Sequence, residues 1–298
     1  MVYSKLYKQR FVFVYTWMAI LLALFIFLRF VPIVSTFFLS LFRWELIRPH
    51  RPFIGLENFR QLLLDANFKE ALGNTTLFAA VVVVLTLALS LLAALALEKK
   101  LFGGSVFETL YFLPFVIPLV PISLAWKWIY DPANGILNYV VGWFGIEKQG
   151  WLINESLALP SIMFVTIWHR IGYNLIIFIV GLRAIPTAFL EAARIDGAGS
   201  WQSFWRVRLP LLMPIVLYLL IINTIEAFNI FTPVYVMTTG AQGAPAAWVR
   251  VLVMDIYQNA FRYFHIGYAS AESLMLFLII LVVSLFQFRM FRGTGGLE

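Results

Sequence analysis

Residues 71–97 read ALGNTTLFAAVVVVLTLALSLLAALAL, 27 positions without a charge, held between Glu70 and Glu98. A helix rises about 1.5 Å per residue, so about 20 apolar residues cross the roughly 30 Å hydrocarbon core of a bilayer. The run is too long for a strand or a core helix and reads as a membrane span. The rest of the chain agrees. Of 298 residues, 62% are hydrophobic and 12% charged, where a soluble domain carries about 45–50% and about 25%. Phe supplies 29 residues and Trp 10, which suits a lipid-facing surface with aromatic belts. A soluble globular domain and a disordered chain are excluded, and the expectation is an all-α integral membrane protein.

Working outward, charge-free runs place five further spans. These are 11–28, running on past Arg29 and Pro32; 109–126; 156–182, interrupted by His169 and Arg170; Pro210 to about Phe231, with Glu226 inside; and about 270–288, with Glu272 near its start. No cleavage site follows the first run, which reads as a retained helix. Six spans put both termini on one side. Segments 1–10, 98–106, 183–209 and 289–298 hold eleven Lys and Arg in 56 residues; segments 43–72, 130–156 and 232–268 hold eight in 94. The denser set is expected in the cytoplasm, with both termini. The same rule accounts for the net charge of +7 without nucleic acid. The chain has no cysteine and three scattered histidines, His50, His169 and His265, so neither a disulfide framework nor a metal centre is expected.

One cytoplasmic segment is longer than a connector needs to be. Residues 183–209 read RAIPTAFLEAARIDGAGSWQSFWRVRL, where about 2–8 residues join two helices of a bundle. Thr187 is placed to cap a short helix whose apolar face holds Phe189, Leu190 and Ala193. Gly197 and Gly199 end it, and Ser200 caps a second segment carrying Trp201, Phe204 and Trp205. Pro210 then begins the fifth span, where its missing N–H costs nothing. Physically, this segment is either an amphipathic hairpin lying on the membrane or a docking element for a cytoplasmic partner.

Glu191-Ala192-Ala193, three residues, Gly197, nine residues, then Val207-Arg208-Leu209-Pro210 resembles the E-A-A-x3-G-x9-I-x-L-P loop of ABC-importer permeases, departing only in Val207 for Ile. Ile195-Asp196-Gly197-Ala198 and the pair Pro210 and Pro214 fit as well. Phe53-Ile54-Gly55-Leu56-Glu57-Asn58-Phe59, Leu113-Pro114, Trp126-Lys127-Trp128, Asp131-Pro132, Tyr235-Val236-Met237-Thr238 and Gly267-Tyr268-Ala269-Ser270-Ala271 resemble the subclass for maltose-like sugars and glycerol-3-phosphate. The turn Gly240-Ala241-Gln242-Gly243-Ala244-Pro245 is a looser match. The resemblance covers nearly the whole chain. It implies a type I ABC importer permease core with a MetI-like transmembrane domain, in the cytoplasmic (inner) membrane of a prokaryote. The partners it implies are a second homologous permease, two cytoplasmic ATPase subunits and an extracytoplasmic solute-binding protein, besides membrane lipid. The chain itself is then not an enzyme and carries no cofactor, ATP being bound by the partner subunits. Its organisation is a first helix and outer loop (1–71), a permease core (72–288, with the coupling loop 183–210) and a tail (289–298). Glu191, Ala192, Ala193, Asp196, Gly197, Leu209 and Pro210 are the implied ATPase-coupling residues.

The solute path is read from polar residues inside spans, which are costly there and functional by default. Arg29, Lys127 and Glu272 lie near span ends, where a side chain snorkels to water. Arg170 and Glu226 lie deeper. Thr166, Arg170, Tyr173 and Asn174 fall at helical spacing on roughly one face, and Asn223 and Glu226 share another. In maltose-type permeases the solute contacts come from this pair of helices, at positions near Thr166, Arg170, Tyr173, Asn223 and Glu226; the match fails at Arg170, where the family member has a small residue. The alternative is an Arg170–Glu226 ion pair that only holds helices together. Tyr173, Trp168 and Phe228 are candidate aromatic platforms for a sugar. Two rival functions stand beside this one. An ion-coupled secondary transporter has no use for the 183–209 loop and more often shows an inverted repeat. A membrane-embedded enzyme needs a nucleophile and base or metal ligands, and His169 is the only histidine in a span.

The topology has a direct check. In this cysteine-free chain, Gly199→Cys is expected to react with an impermeant thiol reagent from the cytoplasmic side only, and Asn134→Cys from the outside only. The reversed labelling pattern inverts the assignment.

Overall fold

The computed structural model describes residues 2–47, 50–98, 104–239 and 247–292. Of the residues singled out above, Lys99, Lys100, the 240–245 turn and the tail beyond 292 lie outside them. The helices, in chain order, are α1 (Val2–Phe25), α2 (Val31–Leu39), α3 (Glu57–Leu64), α4 (Ala66–Glu98), α5 (Gly104–Val116), α6 (Leu119–Ile129), α7 (Ile136–Gly142), α8 (Glu155–Ala184), α9 (Thr187–Ile195), α10 (Ser200–Ser203), α11 (Leu209–Phe228), α12 (Thr232–Thr238), α13 (Leu252–Phe261) and α14 (Ile266–Arg292). Among the described residues there is no sheet, only the isolated bridges Phe42 to Phe53 and Glu45 to His265. The chain divides into two units, residues 1–64 with 256–275, and residues 65–255 with 276–298.

In the first unit, α1 passes through a π turn, Ile26–Phe30, into α2, and the stretch Arg10–Leu39 forms a 30-residue apolar helix with none of its most apolar window buried. Exposed Phe, Leu and Val on every side is what a helix bathed in lipid carries. The following segment is held by Asn58, whose amide donates to the carbonyls of Ser40 and Phe42 (2.7 and 3.0 Å). Gly55 supplies a left-handed turn, φ +58°, just before α3. Gly267 lies so close to the Phe42 carbonyl that a Cβ there would overlap it. Two of the sequence motifs thus have structural work in this unit.

In the second unit, α8 is the central helix. It packs on α4, α5 and α11. The seam with α4 and α11 is filled by Ala94, Leu97, Leu175, Phe178, Ile179, Leu182, Leu212 and Leu219. At Gly172 the α5 backbone crosses so closely that a Cβ would overlap the Tyr111 carbonyl and the Phe112 Cα, the close approach that small residues permit in membrane helices.

Two expectations need correction. The third span is not one helix: α5 and α6 meet at a break bent by 96°. Pro118 lacks the N–H that would continue the ladder and disfavours the helical region for Ile117 before it. The fifth span does not begin at Pro210 either. Helical backbone runs unbroken from Ser200 into α11 through a π turn, Phe204–Arg208, in which the Leu209 N–H reaches back to the Phe204 carbonyl. The widened turn absorbs the proline ring that would clash in an α-helix. The caps also shift by one residue: Pro186, not Thr187, precedes α9, and Gly199, not Ser200, precedes α10.

The crossing at Gly172 generates a contrast. Gly172→Ala is expected to reduce the folded fraction recovered from membranes. Gly73→Ala, at a helical site with open space around it, is expected to be neutral or to stabilise by about 0.5–1 kcal/mol. Thermal scans in detergent on both variants check this, and equal melting temperatures would remove the close-approach account.

Candidate functional site

Two regions concentrate the sequence-selected residues: the segment after α8 and the membrane-embedded faces of α8 and α11. In the first, α9 ends in a left-handed turn. The Asp196 N–H bonds to the Ala192 carbonyl (2.9 Å), Gly197 to Arg194 (3.0 Å) and Ala198 to Ala193 (2.9 Å). Gly197 has φ +78°, a conformation glycine adopts without steric cost. The Gly199 N–H that opens α10 is capped by the Gln202 side-chain carbonyl at 3.2 Å. Of the candidate coupling residues, Ala193 is buried; Glu191, Ala192, Asp196 and Gly197 are exposed, as is Pro210, and Leu209 is half-buried. Exposed apolar groups surround them. Ile195 is 86% and Trp201 74% exposed; Trp205 meets Trp201 and Phe204 edge to face with centroids 5.6 and 5.3 Å apart, and Trp201 and Phe204 are tilted at 6.5 Å. The segment therefore presents a rigid helix–turn–helix with two exposed carboxylates, Glu191 and Asp196, small residues and an aromatic rim.

The second region is a ladder of polar pairs between α8 and α11. The Arg170 guanidinium pairs with the Glu226 carboxylate. The Tyr173 and Tyr218 hydroxyls are 3.0 Å apart. Deeper in the seam the Asn223 amide donates to Asn174 Oδ1 at 2.7 Å and to the Leu219 carbonyl at 2.7 Å, while Asn174 donates to the Arg170 carbonyl at 2.9 Å. On the far side of α11, Gln287 of α14 donates to Thr224 Oγ1 at 2.9 Å.

Burial divides this set. Asn174 and Asn223 are 1% and 2% exposed and satisfy one another, so they bind helix to helix. Thr166 is also buried, and its hydroxyl is spent on the Ile162 carbonyl. The expected common face of α8 therefore splits: Thr166 and Asn174 point into the core, while Arg170 and Tyr173 stand at its edge. With Glu226 they are the sequence-selected groups open on one side, the Glu226 side chain being 45% exposed. Phe228 is buried and offers no platform, whereas Trp168 is partly open beside Trp126. Tyr218 was not singled out in the sequence. It lies eight residues before Glu226 on the same helix face, a spacing that would have found it. Lys127 does not snorkel; its ammonium donates to the Val236 and Thr239 carbonyls at the C-terminal end of α12, where a cation complements the helix dipole. Glu272 is fully buried and accepts from the Asn259 amide at 3.0 Å. Among the described residues no three His, Cys, Asp or Glu side chains cluster as metal ligands.

A bundle of long apolar helices with paired polar groups between two of them, and a structured hairpin outside it, is the build of a membrane transport subunit. The model of the family described as "Binding-protein-dependent transport system inner membrane component" matches residues 87–294, and the chain belongs to that family of ABC importer permeases. It is 35% identical over 273 residues to the probable ABC transporter permease protein YurN of Bacillus subtilis, covering 90% of this chain and 92% of that one. It is 32% identical to the sn-glycerol-3-phosphate transport system permease protein UgpA of Agrobacterium fabrum over 80% of each chain, and 30% identical to the diacetylchitobiose uptake system permease protein NgcF of Streptomyces coelicolor over 99% of this chain and 86% of that one. Its fold matches a chain of the bacterial alginate ABC transporter crystallised with an alginate pentasaccharide-bound periplasmic protein, with TM-score 0.85, 21% identity, and coverage of 97% and 96%. The protein is thus a multi-pass inner-membrane permease, and the secondary-carrier and enzyme readings fall away.

The asparagine pair carries the prediction of this region. Asn223→Ala leaves the buried Asn174 Oδ1 without its donor and is expected to cost about 1–3 kcal/mol, read as a lower folded fraction after heating in detergent. Replacing both partners, Asn174→Leu with Asn223→Leu, is expected to recover most of it. A double variant no better than the single would place the pair's role outside packing.

Proposed function

We propose that this chain is one of two permease subunits of a carbohydrate importer, and that it converts closure of cytoplasmic ATPases into opening of a solute path between its helices. The observation that carries the reading is the helix–turn–helix at 187–208, exposed beyond the end of α8, with its left-handed turn on Gly197. A connector needs no such rigidity; an element that must grip a partner and move with the bundle does. In this reading Glu191 pairs with a basic residue of the ATPase. Ala192 and Ala193 keep the contact close, and Asp196 and Gly197 shape the turn. Leu209 and Pro210 join the segment to α11. ATP is bound and hydrolysed on the partner subunits.

The remaining assignments follow from this orientation. The loop and both termini face the cytoplasm, the first helix with its outer loop (1–71) precedes the core (72–288), and 289–298 forms a cytoplasmic tail. A second, homologous permease completes the path, and an extracytoplasmic binding protein delivers the solute. The glycerol-3-phosphate and diacetylchitobiose permeases among the relatives support a sugar or glycerol-phosphate-like solute. Of the candidate path residues, Arg170, Tyr173 and Glu226 are the ones whose exposure suits contact with it. Thr166, Asn174 and Asn223 support the helices behind them.

The test separates docking from folding. Glu191→Lys and Gly197→Pro are expected to leave the permease inserted at normal abundance while the ATPase subunits no longer co-purify and ATP-driven uptake is lost. Normal uptake by both variants at normal expression removes the docking role.

A further inference from the structure

The 183–210 loop is fastened at both ends to helices that are not its chain neighbours. At its start, Arg183 Nη2 lies 2.7 Å from Glu108 Oε1 of α5. At its end, Arg208 Nη1 lies 2.5 Å from Glu98 Oε2, the last residue of α4. The second pair is the more enclosed, with side-chain exposures of 25% and 19%, and so is the less screened by salt. A carboxylate at a helix C-terminus meets the negative end of the dipole and is locally disfavoured. A residue that breaks a local rule needs a gain elsewhere, and for Glu98 the gain is Arg208.

We propose that the ion pairs Arg208–Glu98 and Arg183–Glu108 are the cross-links that bring α4 and α5 under control of the coupling loop; this rests on the coupling role given to that loop above. Chain connectivity alone would pass a movement of α9 and α10 to α8 and α11. The two pairs extend it to α4, which packs against both α8 and α11, and to α5, which crosses α8 at Gly172 and ends at the Pro118 break. Loop and four helices then shift as one body, as a discrete rearrangement of a packed core requires. Arg183, Glu108, Arg208 and Glu98 are positioning residues: they touch neither solute nor nucleotide.

Coupling between the two faces can be read without knowing the solute, as the factor by which the cognate binding protein on one face stimulates ATP hydrolysis on the other. The system is the complete transporter in nanodiscs. Arg208→Glu and Glu98→Arg are each expected to lower that factor by about fivefold or more, with subunit composition and unstimulated hydrolysis unchanged, and the double swap is expected to restore it. The Arg183–Glu108 pair, being more exposed, is expected to show the same pattern with a smaller loss. Should a reversal prevent folding, a second arm decides: Glu98→Cys with Arg208→Cys, joined by a short bifunctional thiol reagent, is expected to keep full stimulation. Single reversals with normal stimulation, a swap that assembles but stays uncoupled, or a cross-link that abolishes stimulation would each overturn the proposal. Absence of any stimulation in the unmodified transporter would instead overturn the coupling role on which it rests.

Discussion

Hydrocarbon offers no hydrogen bonds, and this chain is built around that constraint. Every backbone amide and every charge within a span must find its partner inside the protein. Long uninterrupted helices meet the demand for the backbone. Where helices break, side chains or packed neighbours take over. The Lys127 ammonium closes the end of α12 by bonding its last carbonyls, and His169 lies 3.4 Å from the Ile117 carbonyl at the α5–α6 break. At these two interruptions a side chain from a neighbouring helix reaches a carbonyl that the helix end leaves free.

The same constraint explains the ladder between α8 and α11. A lone arginine in lipid is expensive, and Arg170 is neutralised by Glu226. That pair is only partly enclosed, so the roughly 3–5 kcal/mol cost of breaking a buried ion pair is an upper bound for it. The asparagines lie in the seam and hold the helices; Arg170, Glu226, Tyr173 and Tyr218 sit at the edge, where exposure leaves them free to exchange partners. In the proposed function, stability and the solute path are assigned to different members of one set of residues, separated by about one helix turn.

Much of this was legible in the sequence because it depends on local chemistry. Charge-free length marked the spans, and the spacing from Glu191 to Pro210 marked a structured loop. Gly197 was read as a turn and has the left-handed φ that such a turn needs. What misled the reading was proline, in opposite directions. Pro118 broke a helix that apolar content alone made continuous, and Pro210 failed to begin one, because the π turn at 204–208 absorbs it. Burial was the other blind spot. Helical spacing put Thr166 and Asn174 with Arg170 and Tyr173, but α8 is surrounded on most sides, and tertiary packing, which periodicity does not carry, decided which of them remain open. Lys127 and Glu272 lie near span ends as expected, yet both are held by protein groups because neighbouring elements reach them before water does.

The central claim is that events at the 183–210 loop open and close the space beside α8 and α11. Its most direct test uses a single cysteine, Tyr218→Cys, in the assembled transporter, probed with an impermeant thiol reagent from each side. The account predicts labelling from the cytoplasmic side without nucleotide, and from the outer side when the ATPases are trapped closed with vanadate and binding protein. Labelling from the same side in both states would contradict it.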